Sequence, residues 1–288
     1  MIEVPAEEKG SAGIAGAAFG ASYRALGAEF TVRSPNAEVA AAVDFLYAEM
    51  RAGRGTSGAS RKLAVDVVPG RAGGTLEVLF DGKKAFDAAN LSELLHGLDN
   101  ELTVALELAT PALYFVHAAV VEIGGRATVL VGRSGSGKST TAFALAAAGA
   151  GYLSDELAPA DPETGLVHPY PRALCLKRPP PPPLRLPPGA LRAEGTIHVP
   201  PESLPGGVRR EPCPLGRIVF VEYRPSTRTP SLRRISRGEA ALRLYEQALN
   251  QLAHPAAGLD STLALVGRAE CCELLPAGIP ETLRALQG

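Results

Sequence analysis

A chain of 288 residues with formal net charge −1 and 46% hydrophobic content can bury one large core or two modest ones. Its balanced charge gives no broad basic surface and argues against a nucleic-acid partner; Arg209-Arg210 and Arg233-Arg234 read as short solvated pairs. No apolar run reaches the ~18 residues of a membrane span, and Met1 to Lys9 lacks the basic-then-apolar order of a secretory signal.

Residues 1–22, rich in Gly, Ala and Ser without a period, read as a mobile tail. A small α+β domain is expected over 23–111. Glu29 to Arg33 alternates as a strand, and Ser34-Pro35 is expected to cap a helix running to about Arg51. After a Gly/Ser/Arg loop, Leu63–Val68 and Thr75–Phe80 read as paired strands. Asp81-Gly82 turns the chain into a short return, Lys83 to Phe86. Leu94, Leu95, Leu98, Leu102 and Leu106 predict a long amphipathic helix over 91–109, stopped by Pro111. Nothing in this region reads as chemistry, and His96 reads as a surface or packing residue.

A second region is expected over 112–288. Leu113 to Ile123, Gly124-Gly125 and Arg126 to Val131 form a β-hairpin whose second strand feeds Gly132-Arg133-Ser134-Gly135-Ser136-Gly137-Lys138-Ser139-Thr140. This fits G-x-x-x-x-G-K-[ST], the P-loop pattern. The glycines let the backbone turn its N–H groups toward phosphate oxygens, Lys138 reaches the β/γ-phosphates, and the Ser139 hydroxyl suits Mg²⁺. An alanine-rich helix follows to about Ala148 and adds its positive N-terminal end. Gly151 to Leu157 then reads as a short strand ending in Asp155-Glu156, the form of a metal-binding carboxylate site. Its return directly after the helix predicts pairing near the P-loop strand, with Asp155 at the carboxyl end of the sheet facing the phosphates.

Asp161 to Gly165 is a turn. Arg172 and Lys177 flank a strand and could address phosphate or substrate. The prolines of 178–189 exclude helix and central strand and read as an extended loop. Ile218 to Tyr223 is a strong strand, Ser236 opens a helix, and a further helix (about 257–266), a strand (about 271–275) and a final helix after Pro280 complete the chain. Cys175, Cys213, Cys271 and Cys272 form neither C-x-x-C nor a zinc-ligand spacing, and read as reduced, mostly buried thiols of a cytoplasmic protein.

His117, the hairpin, the P-loop, the Leu153-Ser154-Asp155-Glu156 strand and the Pro171-Arg172…Leu176-Lys177 stretch stand in the order found in HPr kinase/phosphorylase. The resemblance is stronger still to the HPr-kinase-related proteins of peptide-modification gene clusters, including kinases of lasso-peptide precursors. It spans about Leu113 to Lys177. It implies an α/β fold with a P-loop nucleotide-binding domain of the HPr kinase / phosphoenolpyruvate-carboxykinase type behind a small α+β N-terminal domain. It also implies ATP and Mg²⁺ as cofactors and phosphoryl transfer to a serine or threonine hydroxyl of a peptide or small protein. On that resemblance, Gly132, Ser134, Gly135, Ser136, Gly137, Lys138, Ser139, Thr140 and Arg172 hold nucleotide, and Ser139 and Asp155 hold metal. Asp155 takes the hydroxyl proton or ligates metal, and His117 positions substrate or phosphate; beside them, Glu156 could hold metal through water. The relatives associate, which leaves a homo-oligomer open. Glu156 stands where the bifunctional enzymes carry a second aspartate, and a proline-rich insert fills the place of their signature segment, so neither reverse phosphorylase activity nor HPr as substrate carries over. Two alternatives stand beside the kinase: a nucleotide-binding regulatory or peptide-recognition module without phosphotransfer, and a kinase of a small-molecule hydroxyl.

Overall fold

The computed structural model describes residues 19–53, 61–70 and 73–287. It is a mixed α/β structure. Strands β1 (Phe19–Ala25) and β2 (Ala28–Ser34) form a hairpin around Leu26-Gly27, both with positive φ as a tight hairpin turn requires. Helix α1 (Ala37–Tyr47) then crosses over to β3 (Arg61–Pro69), which runs parallel to β2. Strands β4 (Leu76–Phe80) and β5 (Lys83–Ala88) close a five-stranded sheet in the order β1-β2-β3-β4-β5. Helix α2 (Leu91–Ala109) lays Leu94, Leu95, Leu98, Leu102 and Leu106 into the core beneath it. Asn90 and Glu93 cap its start reciprocally: the Glu93 N–H donates to Asn90 Oδ1 at 2.9 Å and the Ala89 N–H to Glu93 Oε2 at 2.8 Å.

Two local expectations are corrected. Phe19 to Ser22 belong to β1, paired from Phe19↔Ser34 to Ser22↔Thr31, so the expected tail ends sooner; residues 1–18 lie outside the described residues. Small Gly20 and Ala21 hide the strand's alternation in the sequence. The first helix is capped by Asn36, whose Oδ1 accepts from the N–H groups of Glu38 and Val39, while Ser34 Oγ accepts from the Asn36 N–H one step earlier. Residues 54–60 of the expected loop also lie outside the described residues.

The larger sheet has β6 (Tyr114–Ile123) and β7 (Arg126–Val131) at its centre, joined by the Gly124-Gly125 turn. Helix α3 (Lys138–Ala147) leaves β7 and returns through β8 (Gly151–Ser154) and β9 (Leu157–Ala160), followed by the short β10 (Leu166–Val167). Strands β11 (Leu174–Leu176), β12 (Leu191–Ala193) and β13 (Thr196–Val199) make a separate three-stranded sheet around the proline-rich segment. In that segment Leu184 and Leu186 pack on the core. Strand β14 (Cys213–Val221) lies parallel to β7. Beyond it come β15 (Ser231–Arg234), α4 (Arg237–Tyr245), α5 (Leu259–Arg268), β16 (Glu270–Leu275) and α6 (Ile279–Gln287).

Central strands of this sheet are buried on both faces, which is why they read as continuous apolar runs. Ala118, Val120, Val129, Ile218 and Phe220 point to one core with α4 and α5; Ala119, Val121, Leu130, Val219 and Val221 point to the other with α3 and the three-stranded sheet. Strand β8 does not pair with β7. It lies one strand away, against β6, because β14 occupies the free edge of β7. The four cysteines are free thiols. Both arginine pairs are tied to acids: Arg209 to Glu122, Arg210 to Glu49, Arg233 to Glu273 and Arg234 to Glu270.

Candidate active site

Strand β7 ends at Val131 and the glycine loop begins. Gly132 has φ 154°, and a Cβ there would stand 2.6 Å from the Val221 carbonyl oxygen and 2.7 Å from Ser136 Oγ. Gly135 (φ 82°) and Gly137 (φ 98°) supply the other left-handed turns, and Gly137 leads directly into α3 with no side-chain cap. The helix therefore begins with its first N–H groups facing the loop, an arrangement that favours an anion. The end of β14 braces the loop: the Tyr223 N–H donates to the Ser136 carbonyl at 3.0 Å. Ser139 and Thr140 sit half-buried in the first helical turn, while Ser134 and Gly135 are exposed at the rim.

Lys138 is buried and folds back over the loop, its Nζ donating to the Gly132 carbonyl at 2.6 Å. Burial pulls its pKa down, against the opposing pull of Glu156 and Asp155. Lys177 reaches the loop from the other side and donates from Nζ to Ser134 Oγ at 2.6 Å. Two cations thus converge on one glycine loop. Ser136 Oγ is buried without a hydrogen-bond partner among the described residues.

The acids stand where strand β6 changes partners. Its first half pairs with β9 and its second half with β8, and Asp155-Glu156 is the break between them. That break sets both side chains. The Asp155 side chain is buried, its Oδ2 accepting from the Cys175 N–H at 2.8 Å and its Oδ1 without a hydrogen-bond partner among the described residues. Burial pushes its pKa up to about 7, against the pull of Arg172; the Ser139 hydroxyl is among the groups that favour its charged form. The Cys175 thiol beside it is pushed up to about 12 by burial, which disfavours the thiolate.

Glu156 lies beside His117, with His117 Nδ1 3.2 Å from Glu156 Oε1, and accepts from Arg172 Nη2 at 2.9 Å. Burial resists its ionisation, yet His117, Arg172 and Lys138 outweigh burial and hold it down at about 2. The two adjacent carboxyls are therefore pushed in opposite directions, which suits one for proton transfer and the other for fixed charge.

The structure brings Lys138, Ser139, Asp155, Glu156 and His117 together. Arg172 it does not leave for phosphate. This guanidinium is buried, with Nε 2.9 Å from Asp99 Oδ2, Nη2 on Glu156 and Nη1 donating to the Ala173 carbonyl at 3.2 Å. It is enclosed and ion-paired with Asp99 and Glu156, so the expected phosphate contact gives way to an internal clamp. Asp99 was missed in the sequence. Its signal was an acid four residues after Leu95 and three before Leu102, on the buried stripe of α2.

Among the described residues, no group of three or more His, Cys, Asp or Glu is arranged to hold a metal ion. An unpartnered buried carboxylate oxygen beside one hydroxyl fits Mg²⁺ instead, which keeps several waters and takes few protein oxygens alongside substrate phosphates. The glycine loop fits the phosphates themselves. Among the described residues, no helix is long and apolar enough to cross a membrane.

No family model matches this chain, and no curated protein matches it in sequence. Among solved structures, the chain is similar to the Hpr(Ser) kinase/phosphatase from Coxiella burnetii, at 12% identity over 60% of this chain and 94% of that one, with TM-score 0.27. So loose an overlap carries no assignment.

Proposed function

We propose that this chain is an ATP- and Mg²⁺-dependent kinase that transfers the γ-phosphoryl group to a serine or threonine hydroxyl of a peptide or small protein. The observation that carries this reading is Asp155: a buried carboxyl raised to about 7, with one free oxygen, beside Ser139 of the glycine loop. A nucleotide switch needs the loop but not a base poised near neutrality.

Phosphoryl transfer asks the protein for charge neutralisation and an aligned acceptor rather than covalent help. The N–H groups of the glycine loop and of the first turn of α3 would cradle the phosphates. Lys138 would swing from the Gly132 carbonyl to the phosphate oxygens, and Lys177 would meet them from the rim. Ser139 and Asp155 would hold Mg²⁺, which when bound neutralises the β- and γ-phosphate charge. Asp155 would accept the acceptor's hydroxyl proton as the new oxygen–phosphorus bond forms and the bond to the β-phosphate oxygen breaks, leaving ADP. Glu156, fixed as a carboxylate, would keep His117 turned toward the acceptor. Precursor peptides of the lasso-peptide type are the acceptors the sequence resemblance favours.

The test is γ-labelled ATP with Mg²⁺ and a panel of serine- and threonine-containing peptides, with Lys138→Ala as control. Label on a peptide that is lost in Lys138→Ala is expected. Tight nucleotide binding with label appearing only as free phosphate would replace the kinase by the switch; label on a small-molecule hydroxyl would replace the acceptor class.

A further inference from the structure

The geometry points to Asp99, on helix α2 of the N-terminal region, as a positioning residue for the site: it anchors Arg172 and through it fixes Glu156 against His117. The inference rests on the kinase reading for its kinetic arm only.

Asp99 is enclosed by the chain. Its Oδ2 lies 2.9 Å from Arg172 Nε, and its Oδ1 accepts from Tyr47 OH at 3.0 Å and from Tyr170 OH at 3.5 Å. Arg172 is held from behind as well, its carbonyl accepting from Tyr152 OH at 2.9 Å and the next residue's N–H donating to the Leu46 carbonyl at 2.8 Å. Leu46 and Tyr47 of α1, Tyr152 of β8 and Tyr170 of the β10–β11 connection therefore serve one ion pair. A buried guanidinium must be matched by charge, and Arg172 has two nearest acids, Asp99 and Glu156. Asp99 is the buried one and Glu156 the one that faces the site. With Asp99 in place, Arg172 has a fixed direction, and its Nη2 sets one oxygen of Glu156 while the other meets His117. Without it, the same guanidinium would turn on Glu156 alone and draw that carboxylate off His117.

A merely structural Asp99 would lower stability and leave the chemistry alone, so the test is a double-mutant cycle on the full chain. Asp99→Asn keeps the shape and removes the charge. Asp99→Asn and Arg172→Gln are each expected to lower kcat by about 10- to 100-fold, the range for groups that orient catalytic side chains, with nucleotide affinity unchanged within about twofold. The double variant is expected to be no slower than Arg172→Gln alone. Losses that multiply, or an Asp99→Asn enzyme with wild-type kcat, overturn the proposal. If Asp99→Asn fails to fold, Tyr47→Phe removes one support of Asp99 and should give the same effect, smaller. A second arm does not depend on turnover: in ¹H–¹⁵N spectra, Asp99→Asn should displace the His117 ring signals while those of His168 and His254 stay. A His117 signal unmoved by Asp99→Asn but moved by Arg172→Gln contradicts the inference, whether or not the chain proves to be a kinase.

Discussion

At the scale of single residues, two neighbouring acids receive opposite environments from one break in a strand. Asp155 faces inward and meets one backbone N–H, so burial dominates and its charged form is disfavoured. Glu156 faces a histidine and two cations that stabilise its charge. The consequences for stability run in opposite directions. Asp155 rises from 3.8 to about 7 on folding, so its contribution is full below pH 3.8 and is lost as pH rises toward 7. Glu156 falls from 4.5 to about 2, so its contribution is present above pH 4.5 and is lost as pH falls toward 2. In nucleotide-free protein, Asp155→Asn should therefore gain more stability over wild type at pH 8 than at pH 5. Urea unfolding at both values checks this; an equal effect at the two values would mean Asp155 ionises normally. Lys177→Ala removes a cation that meets Ser134 Oγ at the loop rim, and nucleotide affinity should fall by roughly tenfold, about 1.4 kcal/mol, as read by calorimetric titration.

Elements with a strong period or a fixed motif were legible in the sequence. Helix α2 was readable from five leucines at helical spacing and a proline stop, and the hairpin β6–β7 from two apolar runs around Gly124-Gly125. The glycine loop was readable because its geometry demands particular residues. What stayed hidden depends on contacts between distant parts. Arg172 read as a strand-flanking cation that could address phosphate or substrate, and only the fold shows Asp99 beside it. Strand β8 was expected near the P-loop strand, and the sequence carries no trace of β14 taking that edge. Strand β1 was lost in a Gly/Ala-rich start. Two substitutions test the element scale. Gly132→Ala would force a Cβ against the Val221 carbonyl in a backbone conformation that alanine avoids. Nucleotide affinity should drop by at least about tenfold. Leu98→Ala removes a side chain with no solvent exposure from α2 and should cost about 2–5 kcal/mol in urea unfolding.

Across the whole molecule, the two sheets are not independent supports. One apolar cluster contains Phe30, Tyr47, Leu98 and Leu102 from the N-terminal region together with Phe115 of β6, Leu157 of β9, and Tyr170 and Ala173 of the β10–β11 connection. A core shared in this way couples their unfolding. Loss of far-ultraviolet circular dichroism and loss of nucleotide binding should follow one urea transition; separate midpoints would mean that the N-terminal region melts alone. The same sharing explains how a helix without a motif bears on a glycine loop elsewhere in the chain. Central to the account is the assignment of proton transfer to Asp155 within an otherwise complete nucleotide site. The most direct measurement compares Asp155→Asn with wild type for both nucleotide affinity and transfer of γ-label to a peptide acceptor. The account predicts nucleotide affinity in Mg²⁺-free buffer close to wild type and transfer slower by about 10²- to 10⁴-fold. Transfer at the wild-type rate by Asp155→Asn would contradict it.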